Sequence, residues 1–159
     1  MFPFQLFDPH PALHEVSDIF LIEEWLLFHQ FPFHKQKLVL HRASMQNFAS
    51  VLREKQFNVT YIPATDSLCD VTLLIDSLAS SGLNFLQHVD VVDDWLEQRI
   101  SGSCVRNGVE VKVFPTPYFL NQKSETDEYF DKRKRYFQTD FYIDQRKKRH
   151  ILVDDWQKP

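Results

Sequence analysis

The chain has 159 residues, 43% hydrophobic and 25% charged, the balance of an ordinary globular domain. One domain with a real core fits that length, since such a chain buries roughly 70% of its unfolded surface. The net charge of −4 sets up no global field for nucleic acid, and no apolar run reaches the roughly 18 residues of a membrane span.

Phe2–Phe7 is short and apolar and is expected to form a first strand. Two prolines, Pro9 and Pro11, then impose a turn. Asp18–Glu24 has a continuous apolar core, the pattern of a strand covered on both faces in a parallel sheet. From His34 to Gln56, Leu38, His41, Met45, Phe48 and Leu52 recur at three- and four-residue spacing, which predicts a long helix with one inward face. Asn58–Pro63 reads as the next strand. Ser67 with Asp70 resembles a capping box opening a helix that carries Leu68, Val71, Leu74, Ile75 and Leu78, with Gly82 as its C-cap. Phe85–Val92 is another strand. Asp93 or Asp94 caps a short helix with Trp95, Leu96 and Ile100, expected to end at Gly102. Val109–Phe114 alternates apolar and charged residues and is stopped by Pro115 and Pro117. Ser124 to Val153 reads as two charged helices broken near Gln138.

The alternation of strands and helices up to residue 120 predicts an α/β domain of the Rossmann-like, doubly wound kind. The expectation is a mostly parallel five-stranded sheet over 1–120 with a helical C-terminal extension over 121–159. Ligands of such sheets bind at the carboxyl ends of the strands. That directs attention to Glu23 and Glu24, which leave the first long strand and point to opposite faces. It also directs attention to His34 and Lys35, which open the next helix. A strand-end carboxylate can accept hydrogen bonds from a heterocycle, or simply pair with a lysine such as Lys35.

Other chemistries find less support. Only three glycines are present and none follows the first strand, so neither a dinucleotide fingerprint nor a P-loop exists. Among seven histidines, His34 and His41 share a helical face, but no third ligand follows at a metal-site spacing. His41 lies in the apolar stripe and reads as a core histidine. Cys69 and Cys104 are two isolated thiols, which suggests a reducing, cytoplasmic setting and is too few for an iron–sulfur cluster. No Ser or Cys sits in an elbow-like turn. The basic residues at 132–135 and 146–149 form either a solvated helix face or a phosphate-contacting patch. Fifteen phenylalanines point first to a Phe-rich core and second to a flat-ligand pocket.

The run Phe33-His-Lys-Gln-Lys37, followed by His41-Arg-Ala-Ser-Met45, resembles the deoxyribodipyrimidine photolyase-related proteins. These are the iron–sulfur bacterial cryptochromes and prokaryotic (6–4) photolyases. Gln5-Leu6 in the opening segment resembles that family's D-Q-L element. Trp95 after Asp93-Asp94 resembles its E-W element, and Phe119-Leu120 its F-L-C/N-S turn. Phe141-Tyr142 and Arg146–Arg149 resemble its F-Y-R-x-M-R-R-K helix. These matches run in order across nearly the whole chain.

The resemblance implies a Rossmann-like antenna domain able to hold a light-harvesting lumazine. It also implies a C-terminal helical domain beyond residue 159 that holds FAD and a 4Fe–4S cluster and repairs ultraviolet lesions in DNA. On that basis the chain is expected to be an N-terminal fragment without catalysis of its own. Its partner would be that C-terminal domain, and DNA would be met only through the intact protein. Glu23, His34 and Lys35 are the expected cofactor-lining set, with Gln5 and Trp95 in addition. Lumazine-binding members carry an Asp where Phe4 stands and a Glu where Leu27 stands; Glu23 matches a family carboxylate. Two further readings remain: a nucleotide-binding or scaffold module without catalysis, and a light-sensing cryptochrome without repair activity.

Overall fold

The computed structural model describes residues 4–7, 10–13, 16 and 18–153. The chain divides into two compact units, 1–118 and 119–159. The first unit runs α1 (Phe4–Phe7), β1 (Asp18–Ile22), α2 (Trp25–Phe28), α3 (Lys35–Glu54), β2 (Asn58–Ile62), α4 (Val71–Ser80), β3 (Phe85–Val89), α5 (Asp94–Asn107) and β4 (Glu110–Phe114). Single 3₁₀ turns at Pro11–Leu13 and Ser67–Cys69 complete it.

The strands are parallel, but they do not form one five-stranded sheet. β1 pairs with β2, from Asp18↔Asn58 to Ile22↔Ile62. β3 pairs with β4, from Phe85↔Glu110 to Val89↔Phe114. These are two separate two-stranded sheets, each closed by its own crossover helix, α3 or α5. The Rossmann-like doubly wound expectation is thereby corrected to a mixed α/β arrangement. The hydrophobic pattern of a strand reports which of its faces are buried. It does not report which strand lies alongside, so the element order overstated the sheet. The expected first strand also differs: Phe4–Phe7 form a helical turn, and Met1–Pro3 lie outside the described residues. So short an apolar run carries no periodicity that separates a strand from a helical turn. Phe7 is instead buried edge-on against Phe48, with ring centroids 5.4 Å apart.

β1 is covered on both faces. Ile19 and Leu21 pack with Phe48, Ala49 and Leu52 of α3. Phe20 and Ile22 pack with Cys69 and Leu74, and Ile22 also reaches the cluster of Val71, Ile75, Ile100 and Cys104. Alternating side chains thus split the core into an α3 layer and an α4–α5 layer.

Two helix boundaries differ from expectation. Ser67 does not open α4. Asp66 accepts from Leu68 N at 2.8 Å to cap the 3₁₀ turn, and Asp70 accepts from Thr72 N at 2.9 Å as the N-cap of α4. α5 does not end at Gly102. It runs on to Asn107, because Ile100, Ser103 and Cys104 continue its buried stripe. Gly108 ends it in the left-handed conformation, φ 67°. The two glycines therefore predict opposite signs for one substitution, since a Cβ meets nothing within 4 Å at either. Gly108→Ala is expected to cost about 1 kcal/mol through its backbone angle. Gly102→Ala should gain up to about 1 kcal/mol in a helix interior. Urea unfolding of both variants checks this, and two shifts of the same sign would contradict the assignment.

The second unit holds α6 (Lys123–Asp131) and α7 (Gln138–Arg149). Tyr129, Phe130 and Phe141 form its aromatic contacts, at centroid distances of 4.9–5.2 Å. Much of the basic run is engaged inside this unit. Arg149 and Lys148 face Glu125 at 3.2 and 3.8 Å, Lys132 pairs with Glu128 at 3.0 Å, and the Arg133 guanidinium lies 3.4 Å from the centre of the Tyr129 ring. Among the described residues, no helix is long and apolar enough to cross a membrane.

Candidate carboxylate–guanidinium site at the strand ends

Glu23 and Glu24 leave β1 on opposite faces. Glu23 continues the β1–β2 ladder, its N–H donating to the Ile62 carbonyl at 2.9 Å. Its side chain is fully buried on the α3 side. Arg42 Nε and Nη2 donate side-on to the two carboxylate oxygens, both at 2.6 Å. Tyr61 OH donates to Oε1 at 2.6 Å and Ala64 N to Oε2 at 2.7 Å. Each oxygen therefore accepts two bonds. Burial by itself pushes this carboxyl up, but the bonds from Arg42, Tyr61 and Ala64 outweigh it and hold the pKa at about 2. The same arrangement pushes Tyr61 up, first through burial and then through its bond to the carboxylate.

Arg42 is the residue that sequence reasoning passed over. Its signal was present: Leu38, Arg42, Met45 and Ala49 follow the spacing of one helical face. Arg42 itself stays 44% exposed at the border of the inward stripe, within reach of the buried strand-end carboxylate. The pairing expected for Glu23 was a lysine such as Lys35, which lies exposed at the first position of α3. The bidentate fork explains why arginine suits this place.

Glu24 faces the other layer. Its Oε2 accepts from Val71 N at 2.9 Å, and its Oε1 lies 3.9 Å from Arg99 Nε without a hydrogen bond. Arg99 pairs instead with Asp70, at 2.6 Å. Burial pushes the Glu24 carboxyl up. Burial acts the same way on Asp70, but its bonds to Thr72 and Arg99 prevail and hold it below the usual range. Arg99 thus stands between two carboxyls of opposite tendency.

Of the sequence-derived residues, His34 is the N-cap of α3, its Nδ1 accepting from Gln36 N at 3.3 Å. Lys35 follows it, two turns before Arg42. Trp95 stands on the first turn of α5, exposed at 62%, in the layer away from α3. The side chain of Gln5 lies outside the described residues, while its backbone belongs to α1. His41 is half-buried and stacked on Phe28 at 5.2 Å, and burial pushes its pKa down. Cys69 and Cys104 are buried free thiols, both pushed up by burial. No group of three metal-ligating side chains occurs among the described residues.

Beside Arg42 a groove of about 350 Å³ opens between α2, α3 and the segment after β2. Phe28, Leu38, Ala43 and Ala64 give it apolar walls, with His29, Arg42, Gln46 and Thr65 as polar members. His29 is fixed there by donating to the Ala64 carbonyl at 2.7 Å. Tested against this geometry, a lumazine held through the contacts of the family it resembles does not fit. Both oxygens of Glu23 are taken within the protein, and Phe4 and Leu27 bring no polar atom.

A small parallel α/β module with a locked carboxylate–guanidinium pair at its strand ends is thus the class that fold and site define. Over residues 1–159 the chain matches the family described as deoxyribodipyrimidine photo-lyase-related protein, and it belongs to that family. It is also similar to an uncharacterized protein of Acanthamoeba polyphaga mimivirus. The two are 26% identical over 166 residues, which span 97% of this chain and 83% of the viral protein.

Proposed function

We propose that this chain is the antenna-type, non-catalytic α/β part of a photolyase-like flavoprotein, of the iron–sulfur cryptochrome or (6–4) photolyase kind. The family match over residues 1–159 carries this reading. In the intact protein, FAD and a 4Fe–4S cluster would belong to a partner C-terminal domain, where light-driven lesion repair would take place in the cytoplasm. DNA would be met by that intact protein. A carboxylate held at about pKa 2 by four donors exchanges no proton near neutrality, which supports a binding or scaffolding role for the Glu23 end of β1.

The test is blue-light repair of an oligonucleotide carrying a defined ultraviolet lesion, run on residues 1–159 and on any longer natural product of the gene. The expected result is no flavin absorption and no repair from 1–159, with both present in the longer protein. Repair by 1–159 alone, or a longer product that is colourless and inactive, would overturn the reading. A second reading is favoured by the viral relative, which leaves less than a fifth of its own length outside the match. In it, the module acts without a flavin domain. A native product of about 19.0 kDa in cell extracts would favour it.

A further inference from the structure

The groove beside Arg42 has the makings of a ligand site that the light-driven reading does not use. Its volume of about 350 Å³ lies in the range of small-molecule pockets. Its walls are mostly apolar, and the Phe28 ring is held in place by His41 stacked on it at 5.2 Å. Arg42 is the single charged residue in the lining, and its side chain is 44% exposed. Glu23 engages Nε and Nη2, which fixes the guanidinium plane before any ligand arrives. Nη1 carries no bond among the described residues. A preorganised fork loses little freedom on binding, and its remaining edge matches a planar carboxylate. The surrounding field agrees in sign, because the first turn of α3 carries Lys35 and Lys37 and no acidic residue.

We propose that this groove binds a planar aromatic or heteroaromatic monocarboxylate, its ring between Phe28, Leu38 and Ala43 and its carboxylate on Arg42. A single anionic group is specified because the lining holds a single cation, already shared with Glu23. A phosphate dianion would call for a second cation, and the lining holds none. The ring would take the apolar area, and the charge would decide between otherwise equal ligands.

Fluorescence titration of the purified chain with 2-naphthoate and with its neutral amide tests this in the dark, independently of any flavin or repair activity. The expected result is naphthoate binding at least tenfold tighter than the amide. Arg42→Lys should cut that preference severalfold, because it keeps a charge for Glu23 but loses the planar edge. Ala43→Phe, on an exposed helical position, should abolish binding of both while leaving the thermal melt unchanged. Equal binding of acid and amide would overturn the proposal. So would a preference untouched by Arg42→Lys, or full binding by Ala43→Phe, or no binding of either compound at millimolar concentration.

Discussion

Glu23→Gln is expected to destabilise the first unit by about 3 kcal/mol at neutral pH and to flatten its acid unfolding limb. In the folded protein this carboxyl stays ionised down to about pH 2, whereas its ordinary value is 4.5. As the pH falls, the unfolded chain takes up the proton first. The contribution is therefore complete above about pH 4.5 and is lost progressively between there and pH 2. Glutamine keeps the shape but has one acceptor oxygen where the carboxylate has two. Its amide N–H₂ then faces donors, so part of the set formed by Arg42, Tyr61 OH and Ala64 N is left unmatched. Ala64 N is the costly member, because it is buried and cannot turn to water. Urea titrations of both proteins from pH 7 to pH 2.5 measure the effect. The two stabilities should draw together as the unfolded wild-type chain takes up its proton below about pH 4.5. Equal stabilities at pH 7, or parallel acid limbs, would remove the Glu23–Arg42 pair from the account of this fold.

How legible this was depended on the kind of information each residue carries. The strand at 18–22 and the helix at 35–54 follow from burial periodicity, which a sequence states directly. Capping chemistry narrowed the start of α5 to Asp93 or Asp94, and it is Asp93 whose carboxylate accepts from Leu96 N at 2.8 Å. Strand neighbours are another matter. The pairs β1–β2 and β3–β4 are set by packing between layers, and the same apolar runs suit one sheet or two. Gly102 and Gly108 are alike as letters. Only the continuation of the buried stripe through Ser103 and Cys104 separates a tolerated helix glycine from a cap. At the site, Glu23 was readable as a strand-end carboxylate. Its partner was hidden because it lies 19 residues away on another element. The guanidinium itself stays 44% exposed, so no buried charge marked it out; the buried member is the Glu23 carboxylate, which is too costly to bury without a partner. Family membership rests on the chain as a whole, and no single contact at the strand ends carries it.

Leu52→Ala should cost about 3 kcal/mol, within the range for a buried leucine whose surroundings relax only partly. Leu52 is wholly buried, packed with Phe7, Phe48, Ala49 and Val59 where α3 crosses β2. Its neighbours belong to three different elements, so no single one can close over the cavity. Val105→Ala on α5, at 81% exposure, is the control and should change stability by less than about 0.5 kcal/mol. Leu52 lies ten residues along α3 from Arg42, a rise of about 15 Å, beyond the range at which neighbouring sites usually couple. The two losses should therefore add. Combined with Glu23→Gln, the total of about 6 kcal/mol approaches the whole stability of a small domain, so the double variant should be largely unfolded at 37 °C. Circular dichroism melts of the three variants measure this. A double variant no less stable than Leu52→Ala alone would mean that the site at the N-terminal half of α3 and the core at its C-terminal half form one cooperative contact, and that the rigid helix transmits the loss of either.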